Sequence, residues 1–317
     1  MNLTNEWDIP LPLQVWLAHD EYDHIQDEKY ISATQLLNPL KQLILRPRVN
    51  DNFITTDISS FVPAVMGTSI HDGIEKAWLY SDYRKTLEFL GFNKSVADKI
   101  VINPEKVEDG QIPVYIEQRS IKEIDGYKIG GKFDYIGDGI LHDFKSTSAY
   151  TWVYGGMDEK YRLQGSIYRW LNQDKVTSDF VRICFIFTDW QNALALTNKD
   201  YPQHKIMYKD YPLLSIPETE KWIKEKLALI TKYWDAKEED IPECNDEELW
   251  RSETKYKYYA NPTASKATKV FDSLAEANKF CLEKGKGIVR TVKGEVKRCK
   301  LCPAAPICKQ RRQYFND

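Results

Sequence analysis

Three predicted β-strands in the middle of the chain are joined by turns too short for anything but hairpins, and this stretch constrains the fold most. Val114–Ile124 alternates apolar and polar residues, as a strand with one buried face does. Asp125-Gly126 and Gly137-Asp138-Gly139 are typical of tight hairpin turns. The sequence therefore predicts a three-stranded antiparallel meander formed by Val114–Ile124, Lys128–Ile136 and Ile140–Lys145.

Predicted helices flank these strands on both sides. Five segments are expected to be helical: Ile31–Leu45, Met66–Tyr80, Tyr83–Leu90, Tyr161–Leu171 and Pro217–Trp234. Ser32 or Thr34 could cap the first of them, and Thr68 or Ser69 could cap the second. Phe180–Thr188 is nearly all apolar, which predicts a buried central strand. We therefore expect an α/β fold, with a mixed central sheet flanked by helices.

Composition limits the class of protein without naming a function. Of the 317 residues, 42% are hydrophobic, which excludes a disordered chain. The net charge of −3 does not exclude nucleic acid as a partner, because carboxylates that bind a metal would offset basic residues elsewhere. No run of 18 apolar residues and no signal peptide is apparent, so we expect a cytoplasmic protein with no membrane contact.

Two carboxylates and a lysine are predicted to converge within the meander. Asp143 and Lys145 are two residues apart on one strand, so their side chains share a face, and a tight turn brings Asp134 beside it. Such oxygen ligands hold Mg²⁺ or Mn²⁺, and a bound metal can activate water for phosphodiester hydrolysis. The lysine could orient or deprotonate that water, or neutralise the phosphate. The alternative is an exposed Asp143–Lys145 ion pair, because D-x-K by itself is very common.

The order of these residues resembles the RecB-like branch of the PD-(D/E)XK nucleases. That branch has a G-x-x-D strand, a strand ending in D-x-K, and a helix carrying Q-x-x-x-Y, which here match Gly131–Asp134, Asp143–Lys145 and Gln164–Tyr168. The resemblance covers about residues 30–190. It implies a restriction-endonuclease-like core in which Gln164 and Tyr168 face the active site and the DNA. The alternative for that pair is a core tyrosine with a surface glutamine.

The resemblance also implies further ligands of the metal. The family places a histidine on an upstream helix in a G-x-x-x-H setting, which matches Gly67–His71. Metal binding is thereby assigned to His71, Asp134, Asp143 and the backbone carbonyl of Phe144. Glu117 matches a carboxylate often found on the first strand. A lone helical histidine is otherwise usually a polar surface residue.

Three cysteines near the C-terminus are spaced closely enough to share one metal centre. Cys299, Cys302 and Cys308 form C-x2-C-x5-C, and either an iron–sulfur cluster or zinc accepts four thiolates. Some RecB-like nucleases carry such a trio around a [4Fe–4S] cluster, with a fourth cysteine before the nuclease core. This sequence departs from them, because its first 183 residues contain no cysteine.

The fourth ligand must therefore be Cys184, Cys244 or Cys281. Cys184 lies in the apolar strand and is expected to be buried as a small hydrophobe. Cys244 stands in a P-x-C-x-D-E-x-x-W stretch similar to one in phage-encoded nucleases of this group, and it is preferred, with Cys281 second. We expect [4Fe–4S] rather than zinc. Unligated structural cysteines are the remaining alternative.

The C-terminal segment is also rich in lysine and aromatic residues. Lys255–Tyr259 reads KYKYY, and basic residues follow at Lys266, Lys269, Lys297, Arg298, Lys300, Lys309, Arg311 and Arg312. Lysines interleaved with tyrosines can bind single-stranded nucleic acid by neutralising phosphates and stacking on bases. For any one of these residues, a solvated charged surface is the simpler interpretation.

These features together predict a Mg²⁺- or Mn²⁺-dependent DNA nuclease with exonuclease or end-processing activity. The expected divisions are an N-terminal helical segment over residues 1–60, a nuclease core over 61–240 and a cysteine-stapled subdomain over 241–317. The expected partner is DNA that is single-stranded or has free ends, in phage replication or recombination, with a helicase or recombinase as a possible protein partner. The alternatives are a catalytically idle DNA-binding or assembly subunit and a nuclease that acts on RNA.

Overall fold

The computed structural model describes residues 2–19 and 25–315 of the chain. It divides into two compact units. The first comprises Met1–Leu37 and Asn50–Ala228, and the second comprises Asn38–Val49 and Leu229–Asp317. This division differs from the expected one, because part of the N-terminal segment belongs to the same unit as the C-terminal cysteines. No helix in the described ranges is long and apolar enough to cross a membrane.

The helices and strands are numbered in chain order. The helices are α1 (Leu11–Ala18), α2 (Ala33–Leu36), α3 (Leu40–Leu45), α4 (Val62–Leu79), α5 (Tyr83–Phe89), α6 (Lys94–Ala97), α7 (Ala149–Tyr154), α8 (Asp158–Leu171), α9 (Asn192–Thr197), α10 (Ile216–Tyr233) and α11 (Leu274–Lys284). The strands are β1 (Asn2–Thr4), β2 (Tyr30–Ser32), β3 (Thr55–Asp57), β4 (Ile100–Ile102), β5 (Ile112–Ile116), β6 (Arg119–Ile124), β7 (Tyr127–Lys132), β8 (Tyr135–Gly137), β9 (Ile140–Thr147), β10 (Phe180–Phe187), β11 (Ile206–Pro212), β12 (Lys255–Tyr259), β13 (Lys269–Phe271) and β14 (Ile288–Val292). The protein therefore mixes α and β structure in both halves of its sequence.

A six-stranded mixed sheet forms the centre of the first unit. Its strand order is β11-β10-β9-β8-β5-β4. The β9–β10 and β4–β5 pairs are parallel, and the other neighbours are antiparallel. Along β10 the residues alternate between partly exposed and buried, and Val181, Ile183 and Phe185 belong to the core. The predicted mixed sheet flanked by helices is thus confirmed.

The predicted meander is wrong in one respect, because its first two strands each bend from one sheet into another. Each predicted strand is divided, so that β5 and β8 lie in the six-stranded sheet while β6 and β7 pair with β2 in a sheet of three. Hydrogen bonds continue through the bend, from the Glu117 amide to the Asp134 carbonyl (3.1 Å) and from the Phe133 amide to the Gln118 carbonyl (3.2 Å). The alternation of apolar residues stops at this bend, because Ile116 is followed by four polar residues, Glu117 to Ser120, and the next apolar residue, Ile121, is exposed.

The two predicted hairpin turns are confirmed. Asp125 and Gly126 have φ angles of 50° and 78°, and Asp138 and Gly139 have φ angles of 52° and 70°. Two consecutive residues with positive φ form the type I′ turn, whose twist matches that of the flanking strands. The third predicted strand is also confirmed and extends through Thr147 as β9.

Most predicted helices are present, with two corrections. The Ile31–Leu45 helix is instead β2, α2 and α3, because Pro39 cannot continue a helix and restricts the residue before it. Ser32 does cap α2, since its hydroxyl accepts a hydrogen bond from the Gln35 amide at 3.1 Å. The second helix, α4, begins at Val62 with a proline in its first turn, so Thr68 and Ser69 are not its caps.

The second unit contains a small antiparallel sheet covered on one face by a helix. The strand order is β13-β12-β14, and α11 packs against it. Phe280 of α11 lies 5.1 Å from the ring of Tyr258 and 5.3 Å from that of Phe271. This packing explains why Tyr258 is 1% exposed.

Candidate metal centre and cysteine cluster

The candidate metal centre of the first unit lies where the long hairpin bends. Glu117 and Asp134 occupy the bend on its two strands, and their backbones are hydrogen-bonded to each other. Glu117 has a φ angle of 51°, an uncommon conformation for a residue with a side chain. The bend therefore gathers two carboxylates at the end of β5 and the start of β8.

His71 completes this group from α4. Its Nδ1 atom lies 3.5 Å from Oδ1 of Asp134 and 3.9 Å from Oε1 of Glu117. One ligand atom from each of these three residues lies within 4.8 Å of the others, and each residue is partly buried. A Cβ atom on Gly67 would lie 3.1 Å from the Ser146 hydroxyl, so a glycine at this position lets α4 approach β9 closely. The glycine of G-x-x-x-H thus allows the close packing of α4 on β9 that places His71 beside the two carboxylates.

The charges of the group are balanced by protein side chains. Lys132 pairs with Glu117 at 2.6 Å. Hydrogen bonds to Asp134 and Glu117 raise the pKa of His71 to about 10, which outweighs the opposing effect of burial. His71 is therefore an imidazolium at neutral pH, and its positive charge lies between two carboxylates where a cation could bind.

The backbone of Phe144 also meets this group. Its amide donates to Oδ2 of Asp134 at 2.7 Å, and its carbonyl accepts a hydrogen bond from Nε2 of His71 at 3.1 Å. The carbonyl assigned to the metal by resemblance therefore lies in contact with the predicted histidine ligand. Carboxylate, carbonyl and imidazole are a donor set that suits Mn²⁺, and the oxygens suit Mg²⁺.

Asp143 and Lys145 lie on the adjoining face of β9. Asp143 is 3% exposed and forms a close ion pair with Lys145. Burial raises the pKa of Asp143 to about 6, although the Lys145 charge opposes that shift. Burial lowers the pKa of Lys145, but the charges of Asp143 and Asp134 outweigh burial, so the net pKa is raised and the lysine stays charged. The exposed ion pair that D-x-K could represent is thereby excluded.

Gln164 and Tyr168 of α8 are both buried, in different surroundings. The Gln164 amide donates from Nε2 to Oδ1 of Asp143 at 2.9 Å. Tyr168 is 6% exposed and lies against Gly131, where an added Cβ would come within 2.4 Å of its ring. The glycine of G-x-x-D thus makes room for the tyrosine of Q-x-x-x-Y, and Gln164 is not the surface residue of the alternative interpretation.

The structure groups the predicted residues differently from the sequence. Asp143 stands outside the 4.8 Å group, which among the described residues consists of His71, Glu117 and Asp134. Glu117, predicted only from a carboxylate often found on the first strand, is central to it. Lys132 was missed, although its place between the glycine and aspartate of G-x-x-D could have indicated it.

Four cysteines of the second unit line one small cavity. These are Cys244, Cys299, Cys302 and Cys308. Burial raises the pKa of Cys244 to about 12, and the nearby Glu248 and the other three thiols add to that shift. Burial raises the pKa of Cys299 and Cys302 as well. The four are thus close enough to influence each other electrostatically, as ligands of one centre would be.

The other two cysteines lie elsewhere. Cys184 is in β10, with its sulfur 3.9 Å from Nδ1 of His142. Cys281 is in α11 and contacts the carbonyls of Lys286 and Gly287. Of the three candidates for the fourth position, only Cys244 lies with the trio among the residues that the structure describes.

Gln310 holds the Cys244 loop against the C-terminal segment. Its side-chain amide donates to the Cys244 carbonyl at 2.8 Å and accepts from the Cys244 amide at 2.9 Å. Gln310 is 3% exposed, so both bonds are protected from water. The sequence analysis did not identify Gln310 as a functional residue. Its position two residues after Cys308 is the one sequence feature that could have indicated a role near the cysteines.

The KYKYY segment forms β12, and two of its three tyrosines are buried. Tyr258 and Tyr259 are 1% and 8% exposed. Lys255 pairs with Glu253 at 2.9 Å and with Asp272 at 2.5 Å, and Arg298 donates to Asn38 at 2.8 Å. The expectation of base stacking is therefore wrong for Tyr258 and Tyr259.

Comparison with known proteins leaves the family open. No protein-family profile and no curated protein matches the chain. A crystal structure of a protein called SSO0001 is similar over 65% of this chain and 79% of its own, with 18% sequence identity and a TM-score of 0.39. Likeness at that level carries no conclusion about fold or activity.

Proposed function

We propose that this protein is a Mg²⁺- or Mn²⁺-dependent DNA nuclease with a PD-(D/E)XK core. One observation carries the proposal. Two carboxylates and a histidine lie within 4.8 Å of one another, beside a buried Asp–Lys pair that accepts a hydrogen bond from a glutamine. A simple structural ion pair would not need this concentration of buried charge, whereas perturbed ionisable groups are typical of functional sites.

The chemistry of the donors fits a hard divalent cation. Glu117, Asp134 and Nδ1 of His71 would hold the metal, with Asp143 reaching it from the adjoining face of β9. The Phe144 carbonyl, which the resemblance assigns to the metal, lies at Nε2 on the other side of the ring, so it would orient His71 instead. A bound metal of this kind lowers the pKa of its water and stabilises the charge that develops on phosphorus. His71 must lose a proton to become a ligand, so its imidazolium acts as a substitute for the cation in the metal-free protein.

Lys145 is better suited to stabilising negative charge than to accepting a proton. Its raised pKa keeps the ammonium charged at neutral pH. A charged lysine can orient the attacking water through a hydrogen bond and neutralise the oxygens of the pentacoordinate phosphate. We therefore assign Lys145 the orientation of the attacking water and the neutralisation of the phosphate charge, and not the role of a general base.

Gln164 is proposed to position Asp143 and the substrate strand. Its hydrogen bond fixes one carboxylate oxygen of Asp143, so the other oxygen remains for Lys145 and the metal. We further propose that Cys244, Cys299, Cys302 and Cys308 bind one metal centre, a [4Fe–4S] cluster or zinc, which stabilises the second unit. The proposed substrate is DNA with single-stranded regions or free ends, in a phage replication or recombination setting.

The test is cleavage of end-labelled and circular DNA, single- and double-stranded, with Mg²⁺ or Mn²⁺. We expect cleavage by the wild-type protein and none by Asp134→Asn. Glu225→Gln, an exposed change on α10, is the matched control and should cleave normally. DNA binding without cleavage under either metal would support an idle DNA-binding subunit instead, and faster cleavage of matched RNA strands would support a ribonuclease.

A further inference from the structure

A cavity of about 280 Å³ in the first unit has no role in the metal centre. It lies between α7, the start of α8, β10 and β11. Aromatic side chains form much of its wall, namely Trp152, Tyr161, Phe185 and Tyr211. At its polar rim, Asp158 pairs with Lys209 at 3.1 Å and accepts a hydrogen bond from the Tyr211 hydroxyl at 2.9 Å.

Two residues connect this cavity with the Asp143–Lys145 pair. Phe185 is the neighbour of Lys145 in the parallel pairing of β9 with β10. Tyr161 is close enough to both residues for their charges to affect the pKa of its hydroxyl. Two residues of the cavity wall therefore neighbour the proposed catalytic lysine, which does not itself line the cavity.

The chemistry of the wall defines the ligand. Clustered aromatic rings favour a ligand with a flat, apolar face, and every nucleobase can stack on an aromatic side chain. The rim presents a carboxylate that accepts hydrogen bonds beside an ammonium that donates them, and their charges cancel. A planar, neutral ring whose edge carries both donors and acceptors satisfies this pattern, and the bases of nucleic acids have that character.

We infer that the cavity is a base-binding subsite, which holds one unstacked nucleobase of the strand being cut. Small-molecule pockets typically range from about 300 to 1,000 Å³, so a cavity at the lower limit suits a single base rather than two. A base inside a duplex cannot enter it without being unpaired, and single-stranded or frayed ends avoid most of that cost. The inference rests on the proposed nuclease function and specifies its substrate as single-stranded or end-frayed DNA.

The first test separates the base from the rest of the nucleotide. Binding of deoxyadenosine monophosphate and of deoxyribose 5-phosphate to the full chain is measured by calorimetry without metal. We expect the nucleotide to bind and the sugar phosphate, which lacks the base, to bind at least about tenfold more weakly. Equal binding of the two, or no binding of either, overturns the inference.

Variants locate the binding. Trp152→Ala and Lys209→Met should each weaken nucleotide binding, and Lys209 is a surface residue whose replacement does not endanger folding. Tyr154→Ala is the matched control, because Tyr154 is an aromatic residue of the same helix that is 68% exposed and does not line the cavity. Nucleotide binding that all three variants retain overturns the inference.

The second test uses single-stranded oligonucleotides with 2-aminopurine at successive positions, in EDTA so that nothing is cut. Stacking on Trp152 should quench the fluorescence at one position, and Trp152→Ala should restore it. DNA cleavage with no quenched position would sink the base subsite and leave the nuclease proposal standing. Base-dependent nucleotide binding in a protein that cuts no DNA would support the base subsite and overturn the nuclease proposal.

Discussion

The ionisable clusters of the two units differ in how their charges are balanced. In the first unit, Glu117 and Asp134 face His71, and Asp143 faces Lys145, so opposite charges already pair. In the second unit, four thiols share one cavity, and burial together with their mutual influence raises the pKa of Cys244 to about 12. Burial therefore disfavours the thiolate form of Cys244, Cys299 and Cys302, and a bound cation would supply the positive charge that favours it.

This comparison indicates two different relations between metal and folding. A cluster that is balanced by its own lysines and histidine is assembled before a metal binds, so metal loss should remove activity and not structure. A cluster of thiols in which burial disfavours the thiolate form gains its binding energy as the metal enters, so metal loss should destabilise the unit that contains it.

Asp143→Asn and Lys145→Ala should each abolish cleavage, with a loss of roughly 10³-fold or more. The reason is that these residues act on the reacting groups, whereas the hairpin bend and α8 hold the site together. Single-turnover cleavage measures the effect, and thermal unfolding serves as the control. We expect a small change in stability for Asp143→Asn and a larger loss for Lys145→Ala, which leaves the buried Asp143 carboxyl group without its partner. Cleavage within tenfold of wild type in either variant contradicts the assignment.

Cys244→Ser should lose the bound metal and destabilise the second unit by roughly 3 kcal/mol or more, because the centre closes a long loop to Cys299. Elemental analysis and chemical denaturation measure both effects. Cys184→Ser is the matched control and should keep its metal, since Cys184 lies in β10 beside His142. A folded, active wild-type protein that contains neither iron nor zinc would refute the cysteine centre.

Gln164→Ala should reduce cleavage by about 10²-fold, because a small displacement of Asp143 costs about that much. Tyr168→Ala should act on stability as well, since it leaves a void over Gly131. Comparing cleavage rates with unfolding free energies separates the two effects. Equal losses of stability in both variants would show that Gln164 is a packing residue.

The pH dependence of the first unit should reflect His142, which lies on the face of β9 opposite Asp143. Burial, reinforced by Arg182, lowers the pKa of His142 to about 4. Between pH 6.5 and 4 the unfolded chain binds a proton at His142 that the folded chain does not, so the His142 contribution to the free energy of unfolding should fall by about 1 kcal/mol after allowance for solvent screening. The raised pKa of Asp143 acts in the opposite direction over part of this range, so the effect is read from a variant of His142. Above pH 6.5, His142 is neutral in both the folded and the unfolded chain, so it imposes no loss of stability there.

Denaturant unfolding at pH 7 and pH 4.5 measures this change. His142→Phe keeps the ring contact with Tyr135 and removes the titrating group. The variant should therefore lose less stability in acid than the wild type does. An identical pH dependence in the two proteins would show that other groups control acid unfolding.

The sequence by itself determined many of the local elements and the residue types of the candidate site. Alternation and the two Asp-Gly turns identified the strands, because side-chain burial has a period of two and positive φ angles need such residues. The order of Asp134, Asp143 and Lys145 indicated a metal site, since these types suit phosphodiester hydrolysis. The C-x2-C-x5-C spacing indicated the cysteine trio.

Only the tertiary structure decided which of these residues meet. The four polar residues Glu117 to Ser120 interrupt the alternation at the bend, but such a run does not say that one hairpin serves two sheets or that it brings both carboxylates to His71. Cys244 joins the trio through hydrogen bonds to Gln310, a contact between residues 66 positions apart. From sequence alone, Tyr258 is as plausible a base-stacking residue as the other tyrosines of KYKYY, and only the packing of α11 shows that it is covered. Local sequence specifies φ, ψ and burial period, whereas contacts over such separations depend on how whole elements pack.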